Sequence, residues 1–132
     1  GLVGIEIGLY LRGMGKDVTL VEIMDRPNLD PGSMHTLAVN KELREKGVPL
    51  LLSTKATEIK ADGVTVEGPE GEKFLPADTV IYAAGMRAEQ AAAIALSQCA
   101  PEFYMLGDCC VPKNIIAATQ PAHTVASLLG TR

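Results

Sequence analysis

The chain has 132 residues, with 12 Lys and Arg against 16 Asp and Glu for a formal net charge of −4; 47% of its residues are hydrophobic and 21% charged. That length and balance suit one globular domain with a real core and exclude a disordered chain, while the acidic surplus offers no general attraction for nucleic acid or an anionic membrane. The apolar runs Leu2–Leu11, Val48–Leu52 and Val80–Ala84 are too short to span a bilayer, no leader or lipidation motif is expected, and three cysteines cannot all pair within one chain, so the expected setting is a reducing cytoplasm.

The first residue is Gly1, not Met, and it opens directly into an apolar helical run, so the sequence reads as a piece of something longer. Gly1 to Met14 has apolar residues at helical spacing (Leu2, Ile5, Leu9) and stops at Gly13 and Gly15. Asp17–Glu22 (DVTLVE) follows as a mostly apolar strand, expected to be buried on both faces. Pro, Asn, Asp and Gly mark residues 25–32 as a loop, and Ser33 is placed to cap a second helix that runs to about Lys46 and ends at Gly47. Val48–Leu52 is another strand. Alternation then predicts strands over Ala56–Ala61 and Val64–Glu67, with Asp62-Gly63 as their hairpin turn, a second turn over Pro69–Glu72, and a third short strand at Lys73–Leu75. Asp78–Ala84 reads as a buried strand ending at Gly85, Met86–Ser97 as partly helical, and Glu102–Leu106 as a last strand before Gly107-Asp108. Asn114–Leu129 reads as a helix interrupted at Pro121.

This order is α/β. It matches a Rossmann-like parallel sheet whose first strand is missing, with an inserted three-stranded antiparallel meander. Gly1-Leu2-Val3-Gly4 would be the last four positions of a G-x-G-x-x-G turn. One glycine lets the backbone approach a pyrophosphate, the next allows close helix–strand packing, and the helix N-terminus offers free N–H groups to the anion. Glu22 ends the next strand, near the spacing at which a carboxylate meets the adenosine ribose hydroxyls. A carboxylate there repels a 2′-phosphate, which favours NADH over NADPH; Arg26, four residues on, softens that preference.

Near the other end, Phe103-Tyr-Met-Leu-Gly107-Asp108, a short loop and a helix form a second nucleotide-type constellation. An aspartate held by glycine just past a strand can accept hydrogen bonds from a polyol. Together, GLVGIEIGLYLRGMGKDVTLVE, DTVIYAAGMR and FYMLGDCCVPKNIIAATQPAHTVA make the chain resemble the C-terminal pyridine-nucleotide and flavin region of flavoproteins with two dinucleotide-binding domains. Within that pyridine nucleotide-disulfide oxidoreductase superfamily it looks most like the old-yellow-enzyme-like NADH:flavin oxidoreductases, the 2-enoate and 2,4-dienoyl-CoA reductases. Asp108-Cys109-Cys110-Val111-Pro112-Lys113-Asn114-Ile115 carries their pattern with one added residue.

The resemblance implies an NAD(H)-binding domain over 1–98 and an FAD-contacting segment over 99–132. Gly1, Leu2, Val3 and Gly4 would line the pyrophosphate turn, Glu22 the ribose, and Glu6 the nicotinamide end. Ala84 and Gly85 would pass close to NADH. Asp108, held by Gly107, would bind the FAD ribitol, and the N–H groups of Ile115 and Ile116 would face the flavin pyrimidine edge. The implied reaction is hydride transfer from NADH to FAD. Electrons would then pass through an iron–sulfur cluster and FMN, both in an N-terminal part outside this chain, to an activated C=C bond. The alternatives are an NADH oxidase or ferredoxin reductase-type flavoprotein, or a non-catalytic NADH-binding module.

Three departures from the family carry expectations of their own. The missing strand leaves a gap in the middle of the sheet, to be filled by the rest of the parent chain or by a second copy. The FAD domain's own glycine turn is absent, so the chain alone should hold FAD poorly. Pro121 should kink or restart the last helix. Cys109 and Cys110 are expected to pack, Cys99 to be unpaired and His35 and His123 to be structural, and residues 41–46 form a solvated charged face.

Overall fold

The computed structural model describes residues 1–130; Thr131 and Arg132, the end of the 99–132 segment, lie outside them. The chain forms two compact units, Gly1–Ala84 and a second from Gly85 onward.

In the first unit, helix α1 (Leu2–Gly13) leads into strand β1 (Leu20–Val21), helix α2 (Met34–Glu45) and strand β2 (Leu50–Leu51). Strands β1 and β2 pair in parallel, Leu20 with Leu50 and Val21 with Leu51. Backbone bonds prolong the pairing: Leu20 N–H donates to Pro49 O, Glu22 N–H to Leu51 O, Ser53 N–H to Met24 O and Thr54 N–H to Glu22 O. Ser33 caps α2 as expected, its Oγ accepting from His35 N–H at 3.2 Å. The core is the contact of the two helices with this sheet: Ile5 and Leu9 of α1, Val39 and Leu43 of α2, and Val48, with Leu2, Val18, Leu20 and Leu29 packed around them. The apolar stripes therefore converge as their 3.6-residue spacing requires.

The meander is β3 (Lys55–Lys60), β4 (Gly63–Gly68) and β5 (Gly71–Pro76), antiparallel in that order. Its first turn is Ala61-Asp62, not Asp62-Gly63, because Lys60 pairs with Gly63. Gly63 is a strand residue, and close approach explains why it is glycine: a Cβ there would sit 2.3 Å from Leu75 O and 3.0 Å from Pro76 Cα. Thr57 occupies a break in the β3–β4 register, its Oγ1 donating to Thr65 O at 3.1 Å. Val66, at the centre of β4, is the most deeply buried side chain.

Two expected strands do not form, and two are shorter than expected. Residues 78–84 form no strand and pair with nothing among the described residues, and Val80, Ile81 and Tyr82 are exposed. A strand exists only through its ladder partner, and no strand among the described residues pairs with this segment. The same absence leaves β1 at two residues with Val21 exposed, not buried on both faces, and β2 likewise at two.

The second unit holds α3 (Gln90–Ala95), a 3₁₀ turn at Gly107–Cys109 and helix α4 (Ile115–Leu128). Residues 102–106, expected as a strand, have no partner and take no regular structure. Helix α4 runs through Pro121 without the expected interruption. Pro121 removes only one N–H from the ladder. Asn114 secures the start, its Oδ1 accepting from Ala117 N–H at 2.8 Å, and hydroxyls of Thr119, Thr124 and Ser127 donate to carbonyls four residues back. No helix among the described residues is long and apolar enough to cross a membrane.

The Gly63 contact gives the fold a direct test. Gly63→Ala should separate β4 from β5 and cost about 1–3 kcal/mol, read as a lowered urea midpoint. An unchanged midpoint would contradict the close approach.

Candidate functional site

Helices α1 and α2 run in the same direction, since Glu6 meets His35 near their starts and Arg12 Nε donates to Lys46 O near their ends. The start of α1, the start of α2 and the ends of β1 and β2 consequently share one edge of the first unit. In open parallel α/β sheets that edge is where ligands bind.

Gly1 caps α1 with no side chain over it. Ile5 N–H begins the helical ladder by donating to Gly1 O. The N–H groups of Leu2, Val3 and Gly4 have no acceptor among the described residues, which makes the tip a cluster of free donors at the positive end of the helix dipole. Gly4 faces segment 78–84: a Cβ on it would lie 3.2 Å from Ala83 Cβ, so a larger side chain would push the segment off the helix.

Glu22 closes on the same tip. Its Oε2 accepts from the Gly1 amino group at 3.0 Å, and its Oε1 accepts from Met24 N–H at 3.2 Å. The side chain is only 14% exposed. Burial acts to raise its pKa, but the hydrogen bond from Gly1, the bond from Met24 N–H and the attraction of the Gly1 charge together outweigh it and hold the carboxyl below its ordinary value. A lowered pKa stabilises the fold at pH above the ordinary carboxylate value, and that contribution is lost as pH falls through the lowered one.

Glu6 stands in the second turn of α1 and pairs with His35: His35 Nε2 donates to Glu6 Oε1 at 2.7 Å. His35 carries no sequence signal for this role, because its partner is 29 residues away on another helix. Arg26 is exposed in the loop after β1 and makes no ion pair among the described residues. Ser53, also unflagged by sequence, takes a positive φ of 49° so that its N–H reaches Met24 O at 2.8 Å beside Glu22. Ala84 closes the first unit, exposed.

In the second unit, Gly85 is exposed with φ +93°. Gly107, at φ +68°, begins the 3₁₀ turn, where a Cβ on it would touch Ala118 Cβ of α4 at 3.7 Å. Asp108 is exposed in that turn without a partner among the described residues. The bond from Ala117 N–H to Asn114 leaves the N–H groups of Ile115 and Ile116 as the free donors of α4. An acceptor carboxylate and two free donors therefore sit on the turn and on the helix packed against it. The described residues hold no cluster of His, Cys, Asp or Glu suited to a metal ion.

Residues 1–126 match the family model described as pyridine nucleotide-disulphide oxidoreductase. The chain is 33% identical to bilirubin reductase of Mediterraneibacter gnavus, over 83% of this chain and 17% of that protein. It is 30% identical to the nitric oxide reductase FlRd-NAD(+) reductase of Vibrio vulnificus, over 98% of this chain and 38% of that protein. A structure of 2-naphthoyl-CoA reductase with 2-naphthoyl-CoA aligns with a TM-score of 0.73 at 28% identity, covering 86% of this chain and 18% of that one. The chain thus spans less than two-fifths of the length of each of these relatives. With its α/β architecture and its glycine-led first helix, the chain belongs to the pyridine nucleotide-disulphide oxidoreductase family.

Proposed function

We propose that this chain is the pyridine-nucleotide domain, with a flavin-contacting C-terminal segment, of a cytoplasmic NADH-dependent flavin oxidoreductase of the old-yellow-enzyme-like type. The observation that carries this reading is the meeting of Glu22 with the tip of α1. A carboxylate at the end of β1 stands within hydrogen-bond reach of a helix N-terminus whose next three N–H groups are free. Those donors suit a pyrophosphate, and the carboxylate beside them suits a ribose diol.

In the intact protein, bound NADH supplies a hydride and bound FAD accepts it. The chain's own residues bind and orient. Leu2, Val3 and Gly4 present their N–H groups to the diphosphate. Glu22 accepts from the adenosine ribose, its carboxylate steadied by the bond from Met24 N–H. Glu6 accepts from the nicotinamide half, and Ala84 and Gly85 leave room for it. In the second unit, Asp108 accepts from the FAD ribitol, while Ile115 and Ile116 N–H groups steady negative charge at the flavin pyrimidine edge. The likeness to 2-naphthoyl-CoA reductase supports an activated C=C bond as the final acceptor, with the iron–sulfur cluster and FMN of that route lying outside this chain.

The unpaired segment 78–84 belongs to the same proposal. Its exposed Val80, Ile81 and Tyr82 suit a further parallel strand from the rest of the parent protein, or the same segment of a second copy. The 132-residue chain alone should sediment as concentration-dependent oligomers, and a cooperative melt of a strict monomer would count against this.

Two further outcomes test the reading. Anaerobic NADH should bleach the visible flavin band of the intact protein, and an α,β-unsaturated thioester should restore it. Restoration by dioxygen alone would replace the enoate assignment with an oxidase, and a colourless protein that still binds NADH would leave a nucleotide sensor. Glu22→Gln should weaken NAD⁺ binding about tenfold, the scale of a hydrogen bond to a charged group. The unmutated protein should lose affinity as pH falls and the Glu22 carboxylate takes up a proton, whereas the Gln variant should lack that acid limb. Unchanged affinity in the variant would remove Glu22 from the site.

A further inference from the structure

The Glu6–His35 pair has a geometry that neither the core nor the proposed binding role of Glu6 requires. His35 occupies the first turn of α2, and that turn is fixed from two sides. Asp30 Oδ1 accepts from Gly32 N–H at 3.0 Å in the loop before it, and Ser33 Oγ accepts from His35 N–H itself. From this held backbone the imidazole reaches across to α1 and donates to Glu6 Oε1 at 2.7 Å, the short end of the hydrogen-bond range. The groove between the helices also contains Glu42 and Lys46, but these pair with each other at 3.1 Å and do not compete for His35. The second oxygen of Glu6, Oε2, has no partner among the described residues.

We propose that His35 is a positioning residue for the dinucleotide site: by holding Oε1 of Glu6 it fixes the carboxylate on α1 and leaves Oε2 to accept a hydrogen bond from the nicotinamide half of the bound dinucleotide. This rests on the reading above, in which Glu6 serves that half. A free glutamate on a helix surface must lose rotamer freedom when it grips a ligand, and a glutamate already tied by one oxygen has lost part of it beforehand. His35 contributes through Glu6 and not by touching the ligand. Its effect is therefore confined to ligands that carry the nicotinamide riboside.

Calorimetric titration of the intact protein with NAD⁺ and with ADP-ribose, which lacks the nicotinamide, separates the possibilities. His35→Ala and Glu6→Gln should each weaken NAD⁺ about fivefold while leaving ADP-ribose unchanged, and the double variant should be no weaker than Glu6→Gln alone, as expected for two residues acting through one bond. His35→Gln, whose side-chain amide offers a donor close to the position of Nε2, should recover most of the NAD⁺ affinity. Glu22→Gln is the control and should weaken both ligands alike. If it does so while His35→Ala moves neither ligand, or moves both equally, the positioning role is wrong and the wider reading stands. If Glu22→Gln moves neither ligand, the dinucleotide site itself is wrong. Additive losses in the double variant would show that His35 and Glu6 act separately and would also overturn the proposal.

Discussion

The parallel pairing of β1 with β2 fixes where every polar group of the first unit ends. It is short, two residues in each strand, but the bonds from Ser53 to Met24 and from Thr54 to Glu22 carry it onward into the loops. The parallel pair requires its connecting helix α2 to return in the opposite sense, and α1 runs in the same direction as α2, so both begin at the edge where the strands end. That single constraint delivers the free donors of α1, the carboxylate of Glu22 and the His35–Glu6 bond to one edge. Ile5, Leu9, Val39, Leu43 and Val48 then lock the arrangement by excluding water beneath it.

The family supplies a context for the weakness of that sheet. A two-residue parallel ladder has few bonds, and parallel pairing is the less stable kind per residue. Stability in this unit therefore comes from the helix-on-sheet core and from the meander around Val66, not from the ladder itself. Segment 78–84 shows what the ladder lacks: it touches α1 at Gly4 through Ala83 but has no hydrogen-bonding neighbour, and its apolar side chains stay in solvent.

What could be read from sequence divides along the range of the interaction. Both long helices of the first unit follow from local signals, and the Ser33 cap is written in the residue itself. The hairpin is also local, but its register is not: Asp62-Gly63 marks the turn correctly to within one residue, and the strand position of Gly63 is set by Leu75 and Pro76 across the sheet. The apolar composition of 78–84 and 102–106 says that these segments can be strands; whether they are depends on a partner that composition does not contain. At the site, Glu22 was legible because its distance from Gly4 is a chain spacing. His35 was not, because a surface histidine gains its meaning from a residue on another helix. Pro121 shows the opposite case: the helix keeps its course although one N–H is lost, with its start held by the cap of Asn114.

Glu22 and Glu6 differ in ways that suit the different tasks assigned to them. Glu22 is nearly buried and bonded through both oxygens to the chain around it, so its geometry is set by the fold. Glu6 and His35 are about half exposed, at 47% and 55%. An exposed pair of this kind contributes about 0–1 kcal/mol to stability, too little to explain the fold and little enough to be rearranged by a ligand. A rigid carboxylate suits the part of a dinucleotide that remains unchanged through a reaction. A lightly tethered one suits the part whose charge changes when the hydride leaves, because the tether can orient the carboxylate before binding without opposing its adjustment afterwards.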